Sequence, residues 1–155
     1  MTVLNISRKL PASQAPADVK LVLPFQLRNK SRLRTTLDNG EEVGLILERD
    51  SVLRGGDLLL ADDGRIVEVV AEPETVSTVR ASDPLALCRA SYHLGNRHVA
   101  LQIGTGWVRY QHDHVLDEMV RGLGLSVIIE AAPFEPEVGA YGGHSHSALA
   151  PHAHG

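Results

Sequence analysis

The sequence predicts an α+β protein: an N-terminal all-β domain of two small sheets, then a ferredoxin-like βαββαβ domain, then a disordered, histidine-containing tail. Residues 1–73 contain six short runs rich in Val, Leu and Ile, with turn signals between them. Residues 74–133 alternate strand and helix patterns in the order of a split βαβ unit. Residues 134–155 lose this periodicity and are rich in Pro, Gly, Ser and His, which is typical of a flexible tail.

The first domain is expected to consist of short strands joined by tight turns. Its apolar runs occupy residues 3–6, 20–25, 32–37, 43–48, 57–60 and 65–70. Turn signals lie at residues 38–40, 54–56 and 62–64. Leu33, Thr35 and Leu37 alternate with polar residues, which is the pattern of a sheet with one wet face. Short strands of this kind favour two small packed sheets or a partly open barrel.

One basic cluster, RNKSRLR at residues 28–34, has two interpretations that the sequence leaves open. It is either a surface for an acidic partner or a solvated strand face balanced by Asp38, Glu41 and Glu42. Because no aromatic residues are interleaved with the basic ones, the cluster is a poor nucleic-acid signature.

The polar, proline-containing segment 71–74 is the expected domain boundary. Beyond it, strands are expected at residues 75–81, 99–103, 107–111 and 125–131. The first helix should start at Pro84 after a cap at Ser82 or Asp83. We expect Gly95-Asn96 to end this helix, because both residues tolerate the left-handed conformation.

The second helix is expected from about His114 to Gly122, with Asp113 as its N-cap. Its apolar stripe should comprise Val115, Leu116, Met119, Val120 and Leu123. In the first helix, the single cysteine, Cys88, shares a face with Leu85. A small buried hydrophobe is the favoured interpretation of this thiol over a reactive or metal-binding one.

Composition excludes several classes of protein. Of 155 residues, 43% are hydrophobic and only 4% aromatic, so a mostly aliphatic core is expected. A net charge of −4 and a pI near 6.0 give no general attraction to nucleic acid or anionic membrane. The chain has no apolar run near the roughly 18 residues of a membrane span and no N-terminal signal sequence, so a cytoplasmic location is expected.

The eight histidines are confined to the second half of the chain. Four lie between residues 92 and 114, and the other four are His144, His146, His152 and His154. Imidazole suits Zn, Cu and Ni, whereas the carboxylate clusters and paired thiols of other metal sites are absent from the sequence. The tail pairs have no core to serve, so exchangeable metal binding is the favoured interpretation over neutral drift or solubility.

His98 is the first candidate ligand, because it lies at a helix–strand junction where side chains can project. One imidazole does not hold a transition metal tightly, so the other ligands would come from the tail or from a second chain. On the residues alone, a structural role for His98 is favoured over ligation. His93 is turned away from an i, i+4 chelating arrangement, which favours a structural role.

His112 and His114 are two residues apart. On an extended segment they would point to one face and could chelate one ion, but this geometry fails if His114 is helical. A polar helix N-terminus around Asp113 is the alternative. The sequence contains no HExxH, P-loop, GxGxxG or GxSxG motif, which favours a carrier over an enzyme.

Three long stretches, SYHLGNRH, YQHDHVLDEM and PFEPEVGAY, occur in this order, with NKSRLR and RGGDLLL upstream. In these motifs the chain resembles the UreE family of urease accessory proteins, which are nickel metallochaperones. The resemblance implies a homodimer that binds Ni(II) through His98 at its interface, with His112 and His114 as secondary sites. It also implies that tail histidines complete the site and that the first domain is a partner- or peptide-binding-like domain.

By the same resemblance, the partners are a urease accessory GTPase and the apo-urease assembly complex. Nickel is implied by the resemblance alone, since imidazoles bind Cu(II) more tightly than Ni(II) and also bind Zn(II). Two other functions stay open. A peptide-binding chaperone would depend on the 28–34 cluster more than on His98, and a metal-dependent hydrolase would lose turnover on chelation.

Overall fold

A computed structural model of the chain describes residues 3–11 and 16–138. The chain divides into two compact units between Glu72 and Pro73. The first is built from strands and the second mixes strands and helices, so the predicted α+β class is confirmed. None of the described helices has the length and hydrophobicity that a membrane crossing requires.

The described residues of the first unit form six strands and one helical turn. They are β1 (Leu4–Leu10), β2 (Val19–Leu23), α1 (Phe25–Arg28), β3 (Arg32–Thr36), β4 (Glu42–Ile46), β5 (Leu58–Ala61) and β6 (Ile66–Ala71). The run at 20–25 was expected to be one strand, but β2 ends at Leu23. Pro24 has no N–H to donate to a neighbouring strand, and it occupies the N-cap position of α1 instead.

The six strands form one hydrogen-bonded sheet, in the order β2-β6-β5-β1-β4-β3, and not the two small sheets that the sequence predicted. The reason lies in β1. Its first residues pair in parallel with β4, and its later residues pair antiparallel with β5, with a register shift between Ile6 and Arg8. One strand therefore joins what would otherwise be two separate sheets.

This sheet curls around a single core. Leu21 of β2 and Val43 of β4 belong to the same buried cluster, although β2 and β4 are far apart in strand order. The main-chain N–H of Asp38, just beyond β3, donates to the carbonyl of Lys20 in β2 at 2.9 Å. The two edges of the sheet thus approach each other, as in a partly open barrel.

The second unit has the predicted βαββαβ order. Its elements are β7 (Glu74–Arg80), α2 (Pro84–Asn96), β8 (Gln102–Gly104), β9 (Trp107–Gln111), α3 (His114–Gly122) and β10 (Ile128–Ala132). The strand order β10-β7-β9-β8, with every neighbouring pair antiparallel, confirms the ferredoxin-like arrangement. Val99, Leu101, Leu125 and Val127 were expected in strands, but they precede β8 and β10 and pack against the core.

The segment after β10 was expected to begin the tail at residue 134, yet residues 134–138 belong to the second unit. Phe134 is fully buried. The main-chain N–H of Glu137 donates to the carbonyl of Leu101 at 2.8 Å, and that of Glu135 donates to Oε1 of Gln102 at 2.9 Å. The sequence signal failed because a polar, proline-rich segment lacks periodicity even where one aromatic residue anchors it.

Candidate metal centre

Three of the predicted ligands, His98, His112 and His114, lie in the described residues, and all three are exposed. The four tail candidates, His144, His146, His152 and His154, lie outside the described residues. Within residues 3–11 and 16–138, no group of three or more His, Cys, Asp or Glu side chains is arranged to hold a metal ion. This part of one chain therefore does not assemble a complete site.

The end of α2 gives His98 an unusual backbone. The helix continues through Gly95 to Asn96, Arg97 is its C-cap, and His98 follows with a φ of 58°. We expected Gly95-Asn96 to supply the left-handed residue, and this prediction is wrong. Both are helical, and the left-handed conformation falls on His98, a residue type that adopts it less readily than glycine.

The hydrogen bonds around His98 are those of a Schellman motif. The main-chain N–H of His98 donates to the carbonyl of Gly95 at 2.9 Å. The main-chain N–H of Val99 donates to the carbonyl of Leu94 at 3.4 Å. Val99 also packs on the hydrophobic cluster that contains Leu94, which is the contact that usually accompanies this motif. The turn at His98 thus directs Val99 toward the core, where it is partly buried.

The other helix of the unit ends in the same way, with glycine in the equivalent position. Gly124 has a φ of 90°, and its N–H donates to the carbonyl of Arg121 at 2.9 Å. The N–H of Leu125 donates to the carbonyl of Val120 at 3.4 Å. His98 and Gly124 therefore occupy matching sites, and only one of them carries a side chain.

The α2 surface that leads to His98 is apolar and exposed. Leu85 is 55% exposed and Tyr92 is 65% exposed, and Cys88 between them is also exposed. These three residues lie on one helix face by their spacing. The favoured interpretation of Cys88 as a buried hydrophobe is wrong, because Ala90 and Leu94 face the core instead.

His112 and His114 differ in backbone setting. His112 follows β9, whereas His114 is the first residue of α3. Between them, Asp113 is the N-cap, as predicted, and its Oδ1 accepts from the N–H groups of Val115 and Leu116 at 2.9 and 3.1 Å. The two histidines therefore do not lie on one extended segment, and the predicted shared face does not form. A metal role for each remains a proposal.

A buried carboxylate that was not predicted from the sequence lies beside His112. Asp117 is only 1% exposed. Its Oδ1 accepts from Ser77 Oγ and from Tyr110 Oη, each at 2.7 Å, and its Oδ2 lies 3.1 Å from His112 Nδ1. Burial, together with the hydrogen bond to Asp117, raises the pKa of the Tyr110 hydroxyl.

The one sequence signal for this carboxylate is its helical spacing, which does not by itself indicate burial. Asp117 precedes Val120 by three residues, so both lie on the core face of α3. The predicted apolar stripe instead included Val115, which is 61% exposed. An acidic residue in the middle of a helix stripe is usually assigned to solvent. Its buried partners on β7 and β9 are distant in sequence and were not apparent.

His93 and the basic cluster have structural contacts. The ring of His93 is half-buried and lies 5.2 Å from the ring of Tyr92, edge to face. Arg28 is fully buried and donates to the carbonyls of Leu23 and Leu53 at 3.0 and 3.2 Å. Arg28 therefore does not contribute to a partner surface, which weakens that interpretation of the 28–34 cluster.

Comparison with known proteins covers nearly the whole chain. Residues 3–72 match the model of the UreE urease accessory protein N-terminal domain, and residues 74–155 match that of its C-terminal domain. The urease accessory protein UreE of Alkalilimnicola ehrlichii is 62% identical over 141 residues, covering 91% of this chain and 86% of its own. The proteins of the same name from Pseudomonas putida W619 and Enterobacter sp. 638 are 62% and 55% identical, covering 82% and 85% of this chain and 80% and 88% of their own.

Proposed function

Because this chain belongs to the UreE family of urease accessory proteins, we propose that it is a nickel-binding metallochaperone that delivers Ni(II) for assembly of the urease active site. The family supports a role in urease maturation. We propose in addition that the metal is nickel, that the histidines are its ligands and that the protein is a dimer. Its partners would be a urease accessory GTPase and the apo-urease assembly complex, in the cytoplasm.

The observation that carries the proposal is the setting of His98. Its imidazole is exposed, and within the described residues it forms no hydrogen bond. Its backbone is in a conformation that glycine adopts more easily. A histidine that served packing would be buried. A free imidazole at a costly backbone position is better explained by binding.

A second copy of the chain would supply what one His98 lacks. A two-fold axis brings the same residue of two chains together. The exposed apolar face formed by Leu85, Cys88 and Tyr92 runs along α2, which ends just before His98, and the same contact would cover it. The tail histidines would complete the coordination of the ion. Cu(II) and Zn(II) would compete for these imidazoles.

A site with a small number of exposed ligands suits a metal carrier better than it suits an enzyme. A catalytic metal site keeps three protein ligands and an open position on one rigid frame. The described residues contain no such frame in one chain. An ion shared between two imidazoles and a tail would be released readily to a partner that offers more ligands.

The test is a Ni(II) calorimetric titration of the intact protein, with its mass measured in solution. We expect about one tight ion per dimer. His98→Asn should abolish this event without straining the turn, because Asn tolerates the left-handed conformation. His93→Asn is the matched control and should bind as the intact protein does.

A chain that ends at Tyr141 separates the contribution of the tail. We expect it to keep the tight event with lower capacity or weaker affinity. Tight binding that survives in His98→Asn would show that His98 is not the primary ligand, and the tail or the His112 region would then carry the function.

A further inference from the structure

Asp117 is surrounded by hydroxyl and imidazole groups, although it lies on a helix face that packs on the core. Ser77 and Tyr110 both donate to its Oδ1 at 2.7 Å. Ser77 is fully buried, as is Tyr110. A carboxylate this deeply buried is stable only when its lone pairs are satisfied, and two donors satisfy one of its oxygens.

The second oxygen, Oδ2, lies 3.1 Å from His112 Nδ1. Ser77 Oγ also lies 3.2 Å from the same nitrogen. The hydroxyl protons of Ser77 and Tyr110 are both directed to Oδ1, so neither is available to His112. The contact between Oδ2 and Nδ1 therefore requires a proton on Nδ1, since two bare acceptors at this distance would repel each other.

We infer that Asp117 is a positioning residue that holds His112 in the tautomer with its proton on Nδ1, which leaves the lone pair of Nε2 available for a metal ion. This inference rests on the proposed nickel function. A carboxylate behind an imidazole ligand fixes the ring orientation and raises its basicity in many metal sites. The His112 side chain is 34% exposed while Asp117 is buried, so the ring bridges the interior and the surface.

His112 is in this respect unlike the other candidates. Within the described part of the chain, neither His98 nor His114 has a hydrogen bond to its imidazole. No hydrogen bond within that part of the chain therefore fixes the orientation or the tautomer of either ring. His112 is therefore oriented before the metal arrives, so it loses less conformational freedom when it binds.

The first experiment needs neither a variant nor a metal. The nitrogen chemical shifts of His112 in the intact apo-protein, recorded at about pH 8 where ordinary imidazoles are neutral, report which nitrogen carries the proton. We expect Nδ1 protonated and Nε2 bare. A protonated Nε2, or the averaged shifts of a freely exchanging ring, would overturn the inference whether or not the protein binds nickel.

The second experiment uses Asp117→Asn in the full chain. The amide places an N–H donor where Oδ2 stands, so Nδ1 must become the acceptor and the proton moves to Nε2. Ni(II) alone is added while the paramagnetic broadening of each histidine signal is followed. We expect about tenfold more Ni(II) to be needed for broadening of His112, with broadening of His98 unchanged.

Glu118→Gln is the matched control. It removes one negative charge from the neighbouring position of α3, where the carboxylate is exposed and pairs with Arg121 at 2.9 Å. It should leave the tautomer and the Ni(II) response of His112 unchanged. An equal loss in both variants would mean that net charge, and not positioning, is responsible.

The outcomes separate this inference from the proposed function. If His112→Ala leaves every step of Ni(II) binding unchanged, His112 is not a ligand and the proposed secondary site fails. If His112→Ala removes a step that Asp117→Asn leaves intact, only the positioning role of Asp117 fails. A partly unfolded Asp117→Asn protein would leave the tautomer of the intact protein as the deciding measurement.

Discussion

His98 and Gly124 take the same backbone conformation at the ends of two neighbouring helices in the chain, and the hydrogen bonds around them have the same lengths. A residue with a Cβ atom costs about 1 kcal/mol relative to glycine in this conformation. In the described residues, the imidazole of His98 forms no hydrogen bond that would offset this cost. Variants at His98 and Gly124 therefore separate the effect of the His98 side chain on folding stability from its effect on metal binding.

We predict that His98→Gly raises the free energy of unfolding by about 0.5–1 kcal/mol and abolishes tight Ni(II) binding. The reverse change, Gly124→Ala, should lower it by about 1 kcal/mol. A Cβ at Gly124 would meet no atom within 4 Å, so the loss would be conformational. Urea unfolding of both variants checks this. A destabilised His98→Gly protein would show that the imidazole supports the fold.

The sequence placed His98 at a helix–strand junction but could not predict its left-handed backbone. Local preference favours Gly95 or Asn96 for that role. The left-handed residue instead directly precedes Val99, which is partly buried against a core cluster that includes residues distant in sequence, such as Val79 and Val108. Sequence reasoning thus found the candidate ligand and missed the geometry that distinguishes it from an ordinary surface histidine.

At the scale of elements, β7, β9 and α3 are joined by the hydrogen bonds of Asp117 to Ser77 and Tyr110. The helix cap at Asp113 could be predicted because capping depends on neighbours in sequence. The burial of the Asp117 carboxylate could not be predicted from the sequence, because its hydrogen-bond partners lie on two other elements. Only the assembled sheet brings them together.

We predict that Tyr110→Phe lowers the free energy of unfolding by about 1–2 kcal/mol, since it leaves Asp117 one donor short. The intact protein should also lose stability as the pH rises above about 10, because the unfolded tyrosine ionises there while burial keeps the folded hydroxyl protonated. Tyr110→Phe should show a weaker dependence in that range. Urea titrations at pH 8 and above compare the two, and equal slopes would exclude Tyr110 as a source.

The segment after β10 gives a second test at this scale. Phe134→Ala should destabilise the protein by about 3–4 kcal/mol, because the side chain is fully buried. Val138→Ala, at a site that is 38% exposed, is the control and should cost well under 1 kcal/mol. Thermal unfolding distinguishes them. A negligible effect of Phe134→Ala would mean that the segment belongs to the tail after all.

At the scale of the whole molecule, the α+β class and the βαββαβ order were accessible because both follow from periodicity along the chain. The single curled sheet of the first unit could not be predicted from this periodicity. It depends on β1 pairing with β4 on one side and with β5 on the other, and on a register shift within that strand. Periodicity identifies strands, but it does not say which strands pair.

The last prediction concerns the interface of the proposed dimer. Tyr92→Arg places a charge in the exposed apolar face of α2, where Tyr92 is 65% exposed in one chain. We expect the variant to sediment with half the mass of the intact protein, because a buried unpaired charge disfavours the contact between two copies.

Ile46→Arg, at a 45% exposed apolar site on β4 of the first unit, is the control and should remain a dimer. Tyr92→Arg should lose tight Ni(II) binding together with dimerisation, since each monomer would then offer a single His98 to the ion. A Tyr92→Arg monomer that still binds Ni(II) tightly would locate the tight site within one chain. A Tyr92→Arg dimer would exclude this face of α2 from the interface.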